Sequence, residues 1–311
     1  MNEHFQTRSC CPVCESRELR SLLSRNYSDP TLRNALECCY AQVGGLEYRW
    51  LDDALYAVLR CEDCGFVFQL HIPDDFLLEK LYEQWIDPQK AFARYHASAA
   101  WTRRLQIARD VGLSLALVEM RGARLRALDY GCGWGEWGMM MAAFGAESWG
   151  TELSPTRRSH CAERGIKLVD EADLPEGGFD FINADQVFEH LPQPRATLQL
   201  LARILRPHGV IRIAVPNGWR VEKQLENFDR ELRAPRLGGL NAVAPLEHLN
   251  CFRTRSLVAL AASAGLRRVV PTWQILQSAF HLPGGWKAKA KAFVRPFYLR
   301  SAWSTQLYFS R

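Results

Sequence analysis

The stretch "LRALDYGCGWG", residues 125–135, decides the fold class. Its apolar first half predicts a short buried strand that ends at Asp129. Three glycines then form a loop that opens a helix, namely Gly131, Gly133 and Gly135. Such a loop brings backbone N–H groups close to a ligand at a helix N-terminus. Because position 136 is Glu, the spacing is not G-x-G-x-x-G, which disfavours a dinucleotide pyrophosphate as the ligand.

Strands and helices alternate after this loop. The segment "ESWGTE", residues 147–152, predicts a strand that ends in Glu152, where a carboxylate can accept the ribose hydroxyls of an adenosine. Two further buried strands are predicted at "FDFINAD", residues 179–185, and "GVIRIAVPN", residues 209–217, with a helix between them. This alternation predicts a parallel sheet covered by helices on both faces.

These motifs, with "ADL" at residues 172–174, resemble in order and spacing the class I S-adenosylmethionine-dependent methyltransferases. The resemblance implies an α/β fold with a Rossmann-like seven-stranded sheet, and S-adenosylmethionine as the methyl donor. It also implies the following donor-binding residues: Asp129, Tyr130, Gly131, Gly133, Gly135, Glu152, Leu153, Asp173, Leu174, Asp185 and Gln186.

A pair of cysteine turns precedes this domain. Cys11 and Cys14 are separated by two residues, as are Cys61 and Cys64, and four thiolates suit Zn(II). We therefore expect residues 1–75 to form a zinc-binding domain whose closed four-Cys site is structural. The alternative is four buried cysteines without a metal.

Two Glu-His pairs follow predicted strands. They lie in "VFEHLPQP", residues 187–194, and in "PLEHLNCF", residues 245–252. Methyl transfer requires that the acceptor lose a proton, and a histidine of near-neutral pKa suits that task. We expect both pairs to converge at the mouth of the donor pocket, with His248 and Glu247 as the leading acid-base pair and His190 as the second candidate.

A chain with two cysteine pairs before such a domain also resembles the sugar C-methyltransferases, which act on nucleotide-linked keto-deoxysugars. In that family a Tyr-His-Glu-His segment follows the fifth strand. Glu247 and His248 match its last two letters, whereas Pro245 and Leu246 replace the Tyr and His. The resemblance implies a nucleotide-linked sugar or a natural-product intermediate as the acceptor, and the departures leave the methylated atom open.

Charge is unevenly distributed along the 311 residues. The formal net charge is +5, yet residues 248–311 contain ten Lys or Arg and no Asp or Glu, which leaves about −5 for the first 247 residues. The zinc cysteines with this basic end suggest RNA as an alternative substrate, although the acidic remainder makes nucleic acid the weaker interpretation. A third alternative is a non-catalytic scaffold. The absence of a long apolar run or a secretion-signal pattern favours a cytoplasmic protein.

The segment 76–121 is predicted to be a helical linker or lid, with a helix from Ala99 to Met120, and residues 122–311 to be the methyltransferase domain. Both "RRVVPTWQIL", residues 267–276, and "TQLYFSR", residues 305–311, predict strands, the second antiparallel to the rest. The basic, aromatic insertion 281–303 between them is expected to be a mobile lid that favours an anionic acceptor. Alternatives are a membrane-surface segment, or a solvated basic surface with its aromatic rings turned inward.

Overall fold

The computed structural model describes residues 2–97, 100–118, 125–232, 238–278 and 286–311. They pack as two compact units. Unit 1 comprises residues 1–95, 188–194 and 216–259, and unit 2 comprises residues 96–187, 195–215 and 260–311. Unit 1 therefore combines the N-terminal region with two later segments of the chain. The domain bounds 1–75, 76–121 and 122–311 stay a prediction.

Thirteen strands and twelve α-helices are formed by the described residues. The strands are β1 Phe5–Thr7, β2 Leu19–Asn26, β3 Leu55–Cys61, β4 Val67–Gln69, β5 His71–Pro73, β6 Arg126–Tyr130, β7 Glu147–Thr151, β8 Lys167–Leu168, β9 Phe179–Asp185, β10 Leu205–Ala214, β11 Asn250–Cys251, β12 Arg267–Val269 and β13 Gln306–Ser310. The helices are α1 Pro30–Tyr40, α2 Asp75–Lys80, α3 Pro88–Ala97, α4 Ala100–Leu115, α5 Glu136–Ala143, α6 Pro155–Ala162, α7 Pro194–Ile204, α8 Val221–Glu226, α9 Phe228–Glu231, α10 Thr254–Ser263, α11 Trp273–Ser278 and α12 Trp286–Arg300.

Unit 2 contains the predicted seven-stranded sheet, in the order β12-β13-β10-β9-β6-β7-β8. Five neighbouring strands run parallel, from β10 to β8, and β13 runs antiparallel to β10. Buried β9 residues such as Phe181 and Ile182 are fully excluded from solvent, as expected for a strand covered on both faces. The prediction of a Rossmann-like methyltransferase sheet is confirmed.

The parallel strands of this sheet end nearly level with one another. Tyr130 of β6 is in register with Thr151 of β7, and Asp185 of β9 with Ala214 of β10. Residues that follow these strands therefore gather at one edge of the sheet, where open α/β sheets bind their ligands.

Unit 1 contains a four-stranded antiparallel sheet, in the order β11-β4-β3-β2, and a two-stranded sheet of β1 and β5. The outer strand β11 comes from the late part of the chain and pairs with β4, in the register Asn250 to Phe68 and Cys251 to Val67. The hydrophobic core of unit 1 combines early residues such as Tyr27 and Tyr56 with late residues such as Phe228 and Leu246. Backbone pairing and apolar burial thus tie residues 216–259 to the N-terminal region.

Three sequence-based predictions need correction or qualification. The strand predicted over residues 267–276 covers only Arg267–Val269 and is followed by helix α11, since Pro271 cannot donate a strand hydrogen bond. The insertion 281–303 contains helix α12, while its residues 281–285 lie outside the described part of the chain. Helix α4 covers Ala100–Leu115 of the predicted 99–120, and residues 99, 119 and 120 also lie outside.

Among the described helices, none combines the length and apolar content needed to cross a membrane.

Candidate functional site

The glycine loop after β6 has the left-handed backbone that its composition predicts. The φ angles of Gly131, Gly133 and Gly135 are +68°, +54° and +76°. A Cβ atom at Gly131 would lie 2.8 Å from Val187 Cγ2, and one at Gly135 would lie 2.4 Å from Ile166 Cδ1. Both close contacts, added to the positive φ, exclude larger residues at these two positions.

Glu152 lies directly after β7 and turns back towards this loop. Its Oε2 accepts a hydrogen bond from Gly133 N at 2.8 Å, and its Oε1 accepts bonds from Leu153 N and Ser154 N at 2.9 Å each. These bonds use three of the roughly four acceptor positions of a carboxylate. Glu152 therefore fixes the loop. To accept hydrogen bonds from two ribose hydroxyls, the Glu152 carboxylate must also give up one of its three bonds to backbone N–H groups.

A buried polar network joins three strands of unit 2. Asn183 Nδ2 donates to Asp129 Oδ1 at 2.7 Å, and Arg212 Nη1 donates to Asn183 Oδ1 at 2.7 Å. Arg212 Nη1 also lies 3.3 Å from Asp185 Oδ2, to which Trp137 Nε1 donates at 2.9 Å. The network orders the carboxyl ends of β6 and β9.

Burial is the main reason why the pKa of Asp129 is raised to about 7. The carboxyl group is thus poised to ionise when a cation such as the donor's amino group approaches. Sequence reasoning found Asp129 and Asp185 but missed Asn183, Trp137 and Arg212. The charged Arg212 within the apolar run "VIRIAV" was a signal that the strand carries a buried ion pair.

Two of the predicted donor-binding residues, Asp173 and Leu174, lie at a short turn. A 3₁₀ helix spans Glu171–Asp173, and the Tyr130 hydroxyl donates to the Glu171 carboxylate. Leu174 is buried, Asp173 is exposed, and the Leu153 side chain is 97% exposed. Leu153 thus presents an apolar side chain to solvent, and Tyr130 holds the turn in place.

Gln186 follows β9 with a φ of +57°, a left-handed conformation that is unusual for a residue with a side chain. Its backbone N donates to the Ala214 carbonyl at 2.8 Å, which holds this conformation against the end of β10. Strained residues of this kind concentrate at functional sites.

The two Glu-His pairs come together in unit 1, although 58 positions separate His190 from His248. The two imidazole rings are 4.8 Å apart between centroids and meet edge to face at 79°. His190 Nδ1 lies 2.9 Å from the main-chain carbonyl of Glu247, the residue before His248. The two segments therefore meet in unit 1, and their convergence at the mouth of the donor pocket stays a prediction.

Backbone carbonyls orient both imidazole rings. Because a carbonyl only accepts hydrogen bonds, His190 donates from Nδ1 to Glu247, and His248 donates from Nδ1 to Asn241. Each ring therefore carries a proton on Nδ1. Burial lowers the pKa of His248 to about 4, so this ring is neutral at pH 7 and can accept a proton.

Two tyrosines from the N-terminal region complete this cluster, and sequence reasoning did not find them. Tyr40 donates its hydroxyl proton to Glu247 Oε1 at 2.6 Å, and the Tyr82 oxygen lies 2.9 Å from His190 Nδ1. Burial raises the pKa of Glu247 above its usual range. No local pattern around Tyr40 distinguishes it from a core residue.

The segment before His248 is strained and tightly held. Leu246, which stands where the sugar C-methyltransferases have a His, has a φ of +69°. Beyond His248, Asn250 donates from Nδ2 to the carbonyls of Phe188 and Leu191, at 2.9 and 2.7 Å. Arg8 donates to the Leu191 and Pro192 carbonyls at 3.3 and 2.9 Å. Both Glu-His segments are thereby clamped to the N-terminal region.

A cation is a further possibility at this cluster. The ligand atoms of Glu189, His190 and His248 lie within 4.8 Å of one another. His190 Nε2 lies 3.8 Å from Glu189 Oε1, which is within the about 4.2 Å that two ligands of one ion at about 2.1 Å can span.

The four predicted zinc ligands lie together in unit 1. Cys11 Sγ is 3.6 Å from Cys64 Sγ, and Cys14 Sγ is 3.5 Å from Cys61 Sγ. Tetrahedral zinc with Zn–S bonds of about 2.3 Å would separate its sulfurs by about 3.8 Å. The donor set and its spacing therefore fit zinc closely.

Backbone turns shape both cysteine pairs alike. Glu15 N donates to the Cys11 carbonyl, and Gly65 N donates to the Cys61 carbonyl, both at 2.9 Å. Contact with Cys11 lowers the pKa of Cys64 to about 5, whereas the same contact raises the pKa of Cys11. Without a cation the Cys11 and Cys64 thiols resist ionising together, and zinc relieves this condition.

Comparison with known proteins finds relatives of part of this chain. A curated relative, the ubiquinone biosynthesis O-methyltransferase of Xanthomonas euvesicatoria, is 32% identical over 111 residues, which cover 32% of this chain and 46% of that protein. The enzyme of the same name from Methylococcus capsulatus is 29% identical over 103 residues, covering 30% and 44%. The chain therefore spans less than half the length of these relatives.

Among solved structures, the plantazolicin methyltransferase in complex with a desmethyl analogue and SAH is similar to this chain with a TM-score of 0.45. It is 15% identical, and the match covers 76% of this chain and 94% of that one. The family model described as a methyltransferase domain matches residues 90–270, more than half of the 311 residues. The chain thus belongs to the methyltransferase-domain family, the class I S-adenosylmethionine-dependent methyltransferases.

Proposed function

We propose that this methyltransferase transfers a methyl group from S-adenosylmethionine to a small-molecule acceptor, with Glu247 and His248 as the leading acid-base pair and His190 as the second base. The observation that carries the proposal is the contact between the two Glu-His segments, whose imidazole rings lie 4.8 Å apart. His248 presents an unprotonated Nε2, as a general base requires, because burial keeps this ring neutral at pH 7.

The donor supplies an electrophilic methyl group whose leaving group is a neutral thioether. The protein must then align the acceptor atom and remove its proton, which passes to His248 Nε2 as the new bond to the methyl carbon forms. The low pKa of His248 makes it a weak base, and an anionic acceptor beside it would raise that pKa. Tyr40, bonded to Glu247, positions the main chain before His248.

For the acceptor we propose a nucleotide-linked sugar or a natural-product intermediate. The Glu-His segment after β10 and the four cysteines support it through their similarity to the sugar C-methyltransferases. The names of the curated relatives, ubiquinone biosynthesis O-methyltransferases, support oxygen as the methylated atom. An acceptor that carries a hydroxyl group agrees with the names of the curated relatives, and one that also carries an anionic group agrees with the similarity to enzymes that act on nucleotide-linked sugars.

RNA methylation is the second candidate function and has weaker support. Several basic side chains near the four cysteines already have acidic partners: Arg20 donates to Glu62 at 2.9 Å and Arg60 to Glu222 at 3.0 Å. Binding phosphates there would require that these ion pairs break. RNA would be favoured if retention on immobilised RNA fell steeply with salt concentration.

We further propose that Cys11, Cys14, Cys61 and Cys64 bind one structural Zn(II). A four-Cys site leaves no coordination position for a substrate. Zinc would thus stabilise unit 1 and take no part in the transfer.

The test is transfer of a labelled methyl group from S-adenosylmethionine to three acceptor panels: nucleotide-linked keto-deoxysugars, phenols and catechols, and RNA. On the accepted substrate, His248→Ala should lower turnover by about 100-fold or more while donor affinity stays nearly unchanged. His208→Ala, at an exposed histidine of β10, is the matched control. Full turnover in both His248→Ala and His190→Ala would exclude the acid-base role. Loss of turnover on chelation, with the four-Cys zinc retained, would instead indicate a cation at Glu189, His190 and His248.

A further inference from the structure

Helix α12 in unit 2 exposes apolar side chains along one stripe. Phe293, Val294 and Phe297 are 65%, 58% and 56% exposed, and their spacing of one, three and four residues places them on one face of the helix. Ala292 and Leu299 are buried on the opposite face. The helix therefore carries apolar side chains both inward and outward, whereas a surface helix normally places polar residues outward.

The stripe continues onto the neighbouring helix α11. Trp273 is 43% exposed. Its ring meets the Phe297 ring edge to face, with 5.2 Å between the centroids, and the Phe297 and Phe293 ring centroids are 6.3 Å apart. We call Trp273, Phe293, Val294 and Phe297 the aromatic patch. Single exposed apolar residues are ordinary on protein surfaces, but a contiguous group indicates a binding surface. The interpretation of 281–303 as a basic surface with inward-facing rings is therefore wrong for Phe293 and Phe297.

One arginine anchors the helix beneath the patch. Arg295 donates to the Asp110 carboxylate of α4 and, at 3.0 Å, to Gln306 Oε1 of β13. The partners of Arg295 therefore lie inside unit 2, and its charge is neutralised there. This ion pair, with Leu299 buried in the core, fixes which face of α12 is presented to solvent.

The charge around the patch has one sign. Lys289 is exposed one turn before Phe293, and the Arg300 guanidinium lies 4.9 Å from the Trp273 ring centroid. Helix α12 contains three lysines and two arginines, and residues 248–311 contain no Asp or Glu. Apart from Arg295, which Asp110 neutralises, the exposed apolar rings are accompanied by Lys289 and Arg300, and residues 248–311 supply no acid to pair with these two.

We propose that the aromatic patch of α11 and α12 binds the surface of anionic phospholipid bilayers. The apolar rings would enter the boundary between headgroups and acyl chains, while Lys289 and the part of the Arg300 guanidinium not bonded to the Pro271 carbonyl would face lipid phosphates. Charge complementarity selects an anionic membrane over a second copy of this chain, because two such patches would repel. Nucleic acid fits less well, since Val294 has no ring on which a base could stack and the Arg300 guanidinium already lies over the Trp273 ring. The proposal is independent of which acceptor is methylated.

The experiment is cosedimentation of the full chain with two kinds of vesicle, phosphatidylcholine alone and equal parts of phosphatidylcholine and phosphatidylglycerol. Binding should be strong only to the mixed vesicles and should weaken as salt is raised. Phe293→Ser combined with Phe297→Ser should lower binding about tenfold or more. Lys289→Glu, which reverses one charge, should lower it by about fivefold or more.

The matched controls are Phe144→Ser and Lys90→Glu, at exposed residues of the same types elsewhere in the chain. Donor affinity and the thermal unfolding midpoint of each variant verify that the fold is intact. Equal binding of the parent to both vesicles would overturn the proposal, as would patch variants that bind vesicles like the parent. It would also be overturned if the patch variants lost retention on RNA or self-association and kept their vesicle binding. A raised Michaelis constant for a soluble acceptor, with vesicle binding unchanged, would favour the lid and also overturn it.

Discussion

Gln69, five residues after the last zinc-ligand candidate, donates a hydrogen bond from Nε2 to the main-chain carbonyl of His248 at 3.0 Å. The same nitrogen lies 3.0 Å from the Ala244 carbonyl, and Gln69 is fully buried. The backbone N of Gln69 also donates to the Leu249 carbonyl at 2.9 Å. The strand that follows the four-Cys site therefore holds the proposed base on both sides.

Replacing Gln69 with Leu should destabilise unit 1 and impair turnover. The change leaves two buried carbonyls without their side-chain donor, at a cost of about 1 to 3 kcal/mol. Denaturant unfolding and acceptor turnover are the measurements, with Gln89→Leu, at an exposed glutamine, as the control. Parent-like stability and turnover would show that the Gln69 bonds do not support His248.

Metal analysis of the purified protein should find one zinc per chain. Cys61→Ser should abolish it, because a four-coordinate site that loses one thiolate binds far more weakly, whereas Cys38→Ser, at an exposed cysteine outside the set, should retain it. Since β4 follows Cys64 and pairs with β11, zinc loss should also lower turnover. A metal-free protein with full stability would contradict the assignment.

Glu152→Ala should weaken donor binding. Loss of a charge-assisted hydrogen bond to the ribose costs on the order of 1.5 to 3 kcal/mol, or about 10-fold to 150-fold in the dissociation constant. Loosening of Gly133, which donates to Glu152, adds to this loss. Calorimetry with S-adenosylmethionine measures it, and Glu163→Ala, exposed just after α6, is the control. Unchanged affinity in Glu152→Ala would remove Glu152 from the donor site.

Donor binding should release a proton near neutral pH. Burial raises the pKa of Asp129 to about 7, so below that pH the carboxyl group is mostly protonated and must ionise to bind a cationic amino group. Affinity should therefore fall as pH falls below 7, by up to about tenfold per unit. Calorimetry in buffers of different ionisation enthalpy measures the released proton, and Asp129→Asn should eliminate it.

The raised pKa of Asp129 also predicts how the free energy of unfolding of the donor-free protein depends on pH. The unfolded chain ionises Asp129 near its ordinary value of 3.8, well before the folded chain does. Between about pH 4 and pH 7 the contribution of Asp129 to stability should therefore decrease as pH rises. Asp129→Asn should remove this contribution, and a stability curve unchanged by that variant would contradict the shift.

Turnover should persist in mildly acidic solution if His248 is the base. With a pKa lowered to about 4, His248 stays neutral down to about pH 5, whereas a base with an ordinary pKa of 6.5 would lose about 30-fold of its activity there. The measurement is kcat/KM for the acceptor against pH, with the donor saturating. An acid limb near pH 6.5 would assign the titrating base to another group.

Much of unit 2 could be predicted from the sequence because its signals are local. The buried strand before Asp129, the glycine loop and Glu152 at the end of β7 follow from apolar runs, backbone freedom and strand order, which neighbouring residues specify. The two-residue spacing of the cysteines likewise predicts a four-Cys site, since the tight turns that place two sulfurs together are local.

Tertiary structure alone decided what completes the proposed catalytic cluster. Tyr40 meets Glu247, and Gln69 meets His248, because β11 pairs with β4 and brings residues 244–251 against the N-terminal region. Strand pairing across such separations depends on the whole packed unit, and no short pattern encodes it. The sequence also could not show that the Phe293 and Phe297 side chains face solvent. The partners of Arg295 on α4 and β13 determine which face of α12 points inward.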